Sequence, residues 1–180
     1  ITPPRQSIMP QKKKPMNKII MIAAAAENNA LGKDNAILWD LPDDFKRFNR
    51  LTTGHKTIMG RKTFKSMPTL LTNRVHIIIT RDKNYKVAFN DCIVVHSLKD
   101  AIALVAHDAL AFIIGGGEIY KQGEKFSNGI ELTRVHTNFE NADTFFPDID
   151  TSTWKLVSEE HHSADDRHAV AFTYLTYTRR

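Results

Sequence analysis

Lys18-Ile19-Ile20-Met21-Ile22-Ala23-Ala24-Ala25-Ala26 is the stretch on which the fold turns. Behind the Lys12–Lys14 run it mimics a secretory signal, with a basic start, a short apolar stretch and alanines. The apolar part, Ile19–Ala26, is only eight residues long, and the polar Glu27-Asn28-Asn29 comes directly after it. It reads instead as the first strand of an α/β sheet, covered on both faces.

The rest of the chain supports that reading. Glu27–Asp40 is a polar loop around Gly32. Leu41-Pro42-Asp43-Asp44 opens a helix, with proline at its first position and acids in its first turn, and Thr53-Gly54 closes it. Lys56–Met59 is a short strand ending at Gly60, and Arg61–Met67 a short helix. Val75–Thr80 and Ile93–Val95 are strands. Ser97 caps a helix to about His107, with Ala101, Leu104 and Val105 inward. Ala111–Ile114 is a strand, succeeded by Gly115-Gly116-Gly117 and a helix, and Ile130–Thr137 is another strand. The alternation predicts a mostly parallel sheet with helices on both faces. Trp154–Glu160 and Val170–Thr178 alternate in period two around a polar His161–Arg167 connector, which predicts an antiparallel hairpin at the sheet edge.

The chain has 180 residues, 42% hydrophobic and 25% charged, the make-up of one globular domain. No apolar run approaches the ~20 residues of a membrane span. Residues 1–18 hold Arg5, Lys12, Lys13, Lys14 and Lys18 and no acid, which is the whole net charge of +5. The rest is neutral overall, so nucleic-acid binding by the whole surface is not indicated. Residues 1–17 read as a basic, proline-containing arm outside a domain at 18–180; Met16, ahead of Met9, is a candidate native start. Cys92 is the lone cysteine, so an internal disulfide and a cysteine-based zinc site are excluded. It reads as a small buried residue in a reducing compartment.

The chemistry sits in three places. Asp44, Phe48 and Leu51 share one helix face, flanked by Phe45, so Asp44 is a carboxylate on an apolar stripe. It is either buried, and then a candidate proton donor or a polar anchor for a ligand, or an exposed first-turn acid; the pattern leaves both open. Asp43, Lys46, Arg47 and Arg50 fall on the outer side, with Asp43 and Arg47 spaced for a surface pair. Second, Gly115-Gly116-Gly117, Met59-Gly60-Arg61-Lys62-Thr63 and Thr80-Arg81 stand at strand ends, where open α/β sheets bind ligands. Glycine turns, cations and hydroxyls together suit a ligand with several phosphates, and arginine favours NADP over NAD. The GxGxxG fingerprint is absent, since Tyr120 stands where its third glycine would be. Third, His161, His162 and His168 lack metal-ligand spacing and read as surface residues.

Taken in order, the segments resemble dihydrofolate reductase of the bacterial chromosomal type, over about residues 18–180. The resemblance rests on Ile22-Ala23-Ala24, Leu31-Gly32, Trp39 to Phe45, Phe48, Thr52, Gly54 and Ile58-Met59-Gly60-Arg61-Lys62-Thr63. It continues through Arg74, Ile114-Gly115-Gly116-Gly117-Glu118-Ile119-Tyr120, Leu132-Thr133 and Asp143-Thr144-Phe145-Phe146-Pro147.

The resemblance implies that fold and the NADPH-dependent reduction of 7,8-dihydrofolate, with hydride transfer to C6 and protonation at N5, in the service of one-carbon metabolism. Asp44 would hold the pterin and promote protonation, with Thr133 bonded to it and Trp39 near the active-site water. Ile22, Ala24 and Ile114 would line the pterin site. Phe45, Phe48, Met67 and Leu71 would wall the benzoyl ring, and Arg74 would bind the glutamate α-carboxylate. Ala23, Ala24, Leu31, Gly32, Asn35 and Ala36 would meet the cofactor on the lid side. Gly60, Arg61, Lys62, Thr63, Thr80, Arg81 and His96 would take its phosphates and adenosine. Ile114 and Gly115 through Tyr120 would lie under its nicotinamide and pyrophosphate, with a cis peptide between Gly115 and Gly116. Glu27–Trp39 would be the lid. The resemblance further implies a cytoplasmic monomer, an antifolate target, and no metal, nucleic-acid or membrane partner.

Leu38 stands where the family commonly has proline, and Ala142 where it has glycine; Met67–Arg74 lacks the usual glycine and prolines. These departures bear on the lid and the benzoyl-glutamate rim. Three rivals are a reductase resembling those of the riboflavin pathway, a non-enzymatic module that binds through the basic arm, and a fold-competent but inactive or folate-storing protein.

Overall fold

The structure is a computed structural model, and it describes residues 17–34, 36–67 and 70–180. The arm reading of 1–17 falls, but for Asn17, outside the described residues. The chain runs through β1 (Lys18–Ala26), β2 (Ala30–Gly32), α1 (Pro42–Thr52), β3 (Lys56–Gly60), α2 (Arg61–Ser66), β4 (Val75–Ile79) and β5 (Cys92–Val95). It continues with α3 (Leu98–Leu104), β6 (Leu110–Gly115), α4 (Gly117–Gly123), β7 (Gly129–Val135), β8 (Thr144–Phe145), β9 (Trp154–His162) and β10 (Phe172–Arg179).

The main sheet has the order β5-β4-β3-β6-β1-β7-β10-β9. The pairs from β5 to β7 are parallel, and β10 is antiparallel to both β7 and β9. This is the expected architecture. β1 sits between β6 and β7, which is why Ile19–Ala26 is almost uniformly apolar: Met21, Ala25 and Ala26 are fully buried. The core joins Met21, Ile58, Ile77, Ala101, Ile113, Leu132 and Trp154.

Several boundaries and exposures differ from expectation. The loop after β1 contains β2, which pairs with β8 as a separate two-stranded ribbon. α3 stops at Leu104, where Val105 leaves helical geometry, so Leu104 is 40% exposed while Ala101 and Val105 are buried. β9 runs on to His162, which shortens the polar connector. Cys92 is half-buried rather than buried, because β5 is the edge strand.

Candidate active site

The carboxyl ends of β1, β3, β4 and β6 open into a cleft of about 1750 Å³. α1 forms one wall. Its Pro42 start and acidic first turn obey the sequence logic, and its Asp44 and Arg47 side chains reach β7 and β10. Asp44 projects from that face, half-buried. Thr133 Oγ1 on β7 donates to its Oδ1 at 2.5 Å. Burial pushes the Asp44 carboxyl above the ordinary carboxylate range; the bond from Thr133 and the charge of Arg47 pull it back. Of the two readings left open, the exposed first-turn acid is the one that the half-buried position of Asp44 in the cleft wall does not fit.

Around Asp44 the cleft is lined by Ile22, Ala24, Ile114, Phe45, Phe48, Met67, Leu71 and Trp39. Phe45 is 57% exposed at the rim, with Phe48 stacked behind it at 6.3 Å. Such apolar walls exclude water from a planar ligand and leave few polar groups to orient it.

The far side carries phosphate chemistry. Gly60, Arg61, Lys62, Thr63, Thr80, Arg81 and His96 all line the cleft, as do Ala23, Gly115, Gly116, Gly117, Glu118, Ile119 and Tyr120. Gly115 has φ +121°, and its peptide to Gly116 is cis, as the resemblance implied. At Gly117 a Cβ would fall 2.9 Å from the Phe145 carbonyl and the Thr144 methyl, so only glycine fits. Tyr120 packs under Gly115 and donates its hydroxyl to the Ile22 carbonyl at 2.6 Å, tying the glycine turn to the end of β1. Side-chain-free backbone flanked by Arg61, Lys62 and Arg81 fits an extended polyphosphate ligand such as NADPH.

The mouth is framed by Leu31, Gly32 and Ala36. Asp143 Oδ2 accepts the Asp34 N–H at 2.9 Å, and Asp143 N–H donates to the Gly32 carbonyl at 3.1 Å. The bond from Asp34, with one from Thr144, holds the Asp143 carboxyl below the usual range. Ala142, in place of glycine, sits just before this anchor.

Two expected site residues stand apart. Asn35 lies outside the described residues, as do Pro68 and Thr69 of the rim. Arg74 does not line the cleft. It is 7% exposed, donating from Nε to the Thr72 carbonyl and from Nη1 to Asn49 and Thr52.

Other residues were misread or missed. His168 is 1% exposed, not a surface residue, because the connector folds back onto α1 and the ring packs against Phe172. Asp43 and Arg47 do not pair: Asp43 takes both its bonds from Arg167 of the connector, and Arg47 reaches Glu131 on β7. Arg47 also lines the cleft, so it is not on the outer side. Helical spacing locates neighbours on the helix itself; it does not register a better partner far along the chain. Among the described residues no cluster suits a metal ion, and no helix is long and apolar enough to cross a membrane.

Comparison with known proteins agrees with this geometry. The family model of dihydrofolate reductase matches residues 18–179. The dihydrofolate reductase of Bacillus subtilis is 37% identical over 90% of this chain and 95% of its own length. That of Neisseria meningitidis serogroup B is 41% identical over 91% and 99%. A solved dihydrofolate reductase from Enterococcus faecalis, complexed with NADP(H) and RAB-propyl, superposes with a TM-score of 0.84 at 30% identity, covering 92% of this chain and 98% of that one. The chain belongs to the dihydrofolate reductase family.

Proposed function

We propose that Asp44 directs the proton in the reaction of this family, the NADPH-dependent reduction of 7,8-dihydrofolate to 5,6,7,8-tetrahydrofolate. The observation that carries this reading is one acid, raised by burial and bonded by Thr133, in an apolar pocket that shares a cleft with a glycine-and-cation wall.

When bound, NADPH supplies the hydride that adds to C6 of the pterin. The chain supplies the rest. Arg61, Lys62, Thr63, Thr80 and Arg81 offer cations and hydroxyls for its phosphates, and Gly115 to Gly117 let the backbone come close. Asp44 accepts the pterin's amino and ring N–H groups, in the orientation that its bond from Thr133 fixes. Burial raises its carboxyl above the ordinary carboxylate range, and from its place beside the pterin it promotes protonation at N5. The apolar walls keep the site dry. The product carries one hydride and one proton more than the substrate, so the rate falls as pH rises through the acid's folded-state pKa. We assign the substrate's glutamate end to Arg74, which lies buried beside Asn49 and Thr52, behind the residues that line the cleft. We read the protein as a cytoplasmic monomer, a site for antifolates as well as folate, with no nucleic-acid or membrane partner.

The test monitors loss of NADPH absorbance with dihydrofolate present. Asp44→Asn is expected to lose about a hundredfold or more in turnover at neutral pH, while NADPH binding, read by fluorescence, stays near wild type. Unchanged turnover in the variant would refute the role of Asp44. No dihydrofolate-dependent turnover in the wild type would move the search to other reducible heterocycles.

A further inference from the structure

Asp44 and Arg47 stand three residues apart on α1, so they share a helix face. β7 meets them with two residues on one of its own faces, Thr133 and Glu131. Thr133 bonds Asp44, and Arg47 Nη2 donates to Glu131 Oε2 at 2.6 Å. β10 completes both rungs: Tyr174 lies opposite Thr133, and Thr176 opposite Glu131. Thr176 Oγ1 donates to the same Glu131 oxygen at 2.9 Å, and the Arg47 guanidinium lies 4.3 Å from the centre of the Tyr174 ring. The Arg47 side chain is only 12% exposed.

We propose that Arg47 is an electrostatic positioning residue for Asp44: clamped between Glu131 and Tyr174, its permanent charge one helical turn from the acid sets the pH range in which Asp44 carries its proton. The catalytic consequence rests on the reading of Asp44 given above; the coupling itself does not.

A guanidinium does not deprotonate in a protein, and a cation beside a carboxylate favours the ionised form against the pull of burial. Of the groups that draw Asp44 back from its burial-raised state, Thr133 is neutral and His168 is engaged by the Asp43 N–H and Asp165. Arg47 alone gives a charge independent of pH. The arrangement is also rigid. Glu131 accepts two bonds and Tyr174 covers the guanidinium face, so Arg47 cannot swing out to solvent without giving up both. Glu131 has the opposite effect, since its negative charge offsets that of Arg47.

The other groups facing this pair are few. At the start of α1 are Asp43 and, from the connector, Arg167 and His168 with Asp165. From β10, Tyr174 is pushed up to about 12 by burial and by Asp44, so it stays neutral. Beyond Tyr174 lie Glu160 and His162 of β9, and Asp40 stands on the cleft wall. Lys46 and Arg50 of α1 are exposed.

The test uses Arg47→Met, Arg47→Lys and Glu131→Gln. One readout is NMR titration of the Asp44 carboxyl carbon in cofactor-free protein labelled with ¹³C-aspartate, the resonance being assigned by Asp44→Asn. The other is the pH profile of dihydrofolate turnover. Arg47→Met should raise the Asp44 midpoint by about one pH unit and carry the high-pH loss of turnover upward with it. Glu131→Gln should move both downward, and Arg47→Lys, which keeps the charge, should stay within about 0.3 unit of wild type. Opposed shifts in the first two variants are what a merely structural role would not produce. Glu131→Gln conserves volume and keeps the question answerable if Arg47→Met does not fold. An Asp44 midpoint that is unmoved, or that moves the same way in all variants, overturns the proposal. Opposed NMR shifts with an unmoved turnover profile uphold the coupling and sink the proton role of Asp44.

Discussion

His168 Nε2 accepts the backbone N–H of Asp43 at 3.2 Å, while its Nδ1 faces Asp165 Oδ1 at 2.8 Å. A histidine 125 residues away along the chain therefore caps the helix that carries the acid. α1 needs this, because Leu41 at its N-cap offers no side-chain bond. Since Nε2 accepts, Nδ1 carries the hydrogen and donates to Asp165, which fixes the tautomer.

His168→Ala should cost about 1–3 kcal/mol, from the lost cap and the orphaned N–H. It should also lower turnover, because Asp44 is the next residue after Asp43 on the same turn. His168→Gln keeps an acceptor and should recover part of both. Urea denaturation and steady-state kinetics check this; equal losses in the two variants would exclude the capping role.

Arg74 is held before substrate arrives. Its Nε and Nη1 bonds to Thr72, Asn49 and Thr52 fix the plane of the guanidinium, and burial lowers the stability of its charge. A carboxylate partner restores what burial took away. Arg74→Ala should weaken dihydrofolate binding by about tenfold or more, yet change the binding of a pterin without glutamate far less. Titration calorimetry with both ligands decides it, and equal losses would refute the carboxylate role.

His76 is fully buried on β4, and among the described residues neither of its ring nitrogens has a hydrogen-bond partner. Burial lowers its pKa, with the nearby Arg74 charge adding to the effect; the Asp91 and Arg74 backbone and the Asp91 charge oppose it without reaching hydrogen-bond geometry at the ring. The unfolded chain then takes up a proton near pH ~6.5 that the folded chain refuses. This contribution to stability is present above that pH and is lost as pH falls below it, by up to ~1.4 kcal/mol per unit. His76→Leu fills similar space without orphaned nitrogens and should flatten that decline. Urea midpoints at pH 7 and pH 5 test this; a gap between the two pH values as wide as in wild type would contradict it.

Much of this was legible because it is local. The apolar run of β1 and the Asp44–Phe48 stripe come from the periodicities of strand and helix. The glycine turn was readable as a strand end, and resemblance brought it together with Asp44 in one site. What escaped was long-range. β2 and β8 are three and two residues long, too short to show a period. His168 sits in a polar connector, and its burial is created by tertiary docking onto α1 and Phe172. Arg47 had an ideal helical neighbour in Asp43, and only the fold brings Glu131 to it.

The β2–β8 ribbon gives the cleft two parts of unequal strength. The floor belongs to an eight-stranded sheet, whereas the rim is fastened by a short ribbon and the Asp143 bonds. Local openings draw on the least-bonded segments first. Opening at the rim would break the β2–β8 pairing and the Asp143 bonds and leave the Asp44–Thr133 pair on α1 and β7 intact. Exchange of large ligands then asks for no reassembly of the acid, and every turnover starts from the same chemistry.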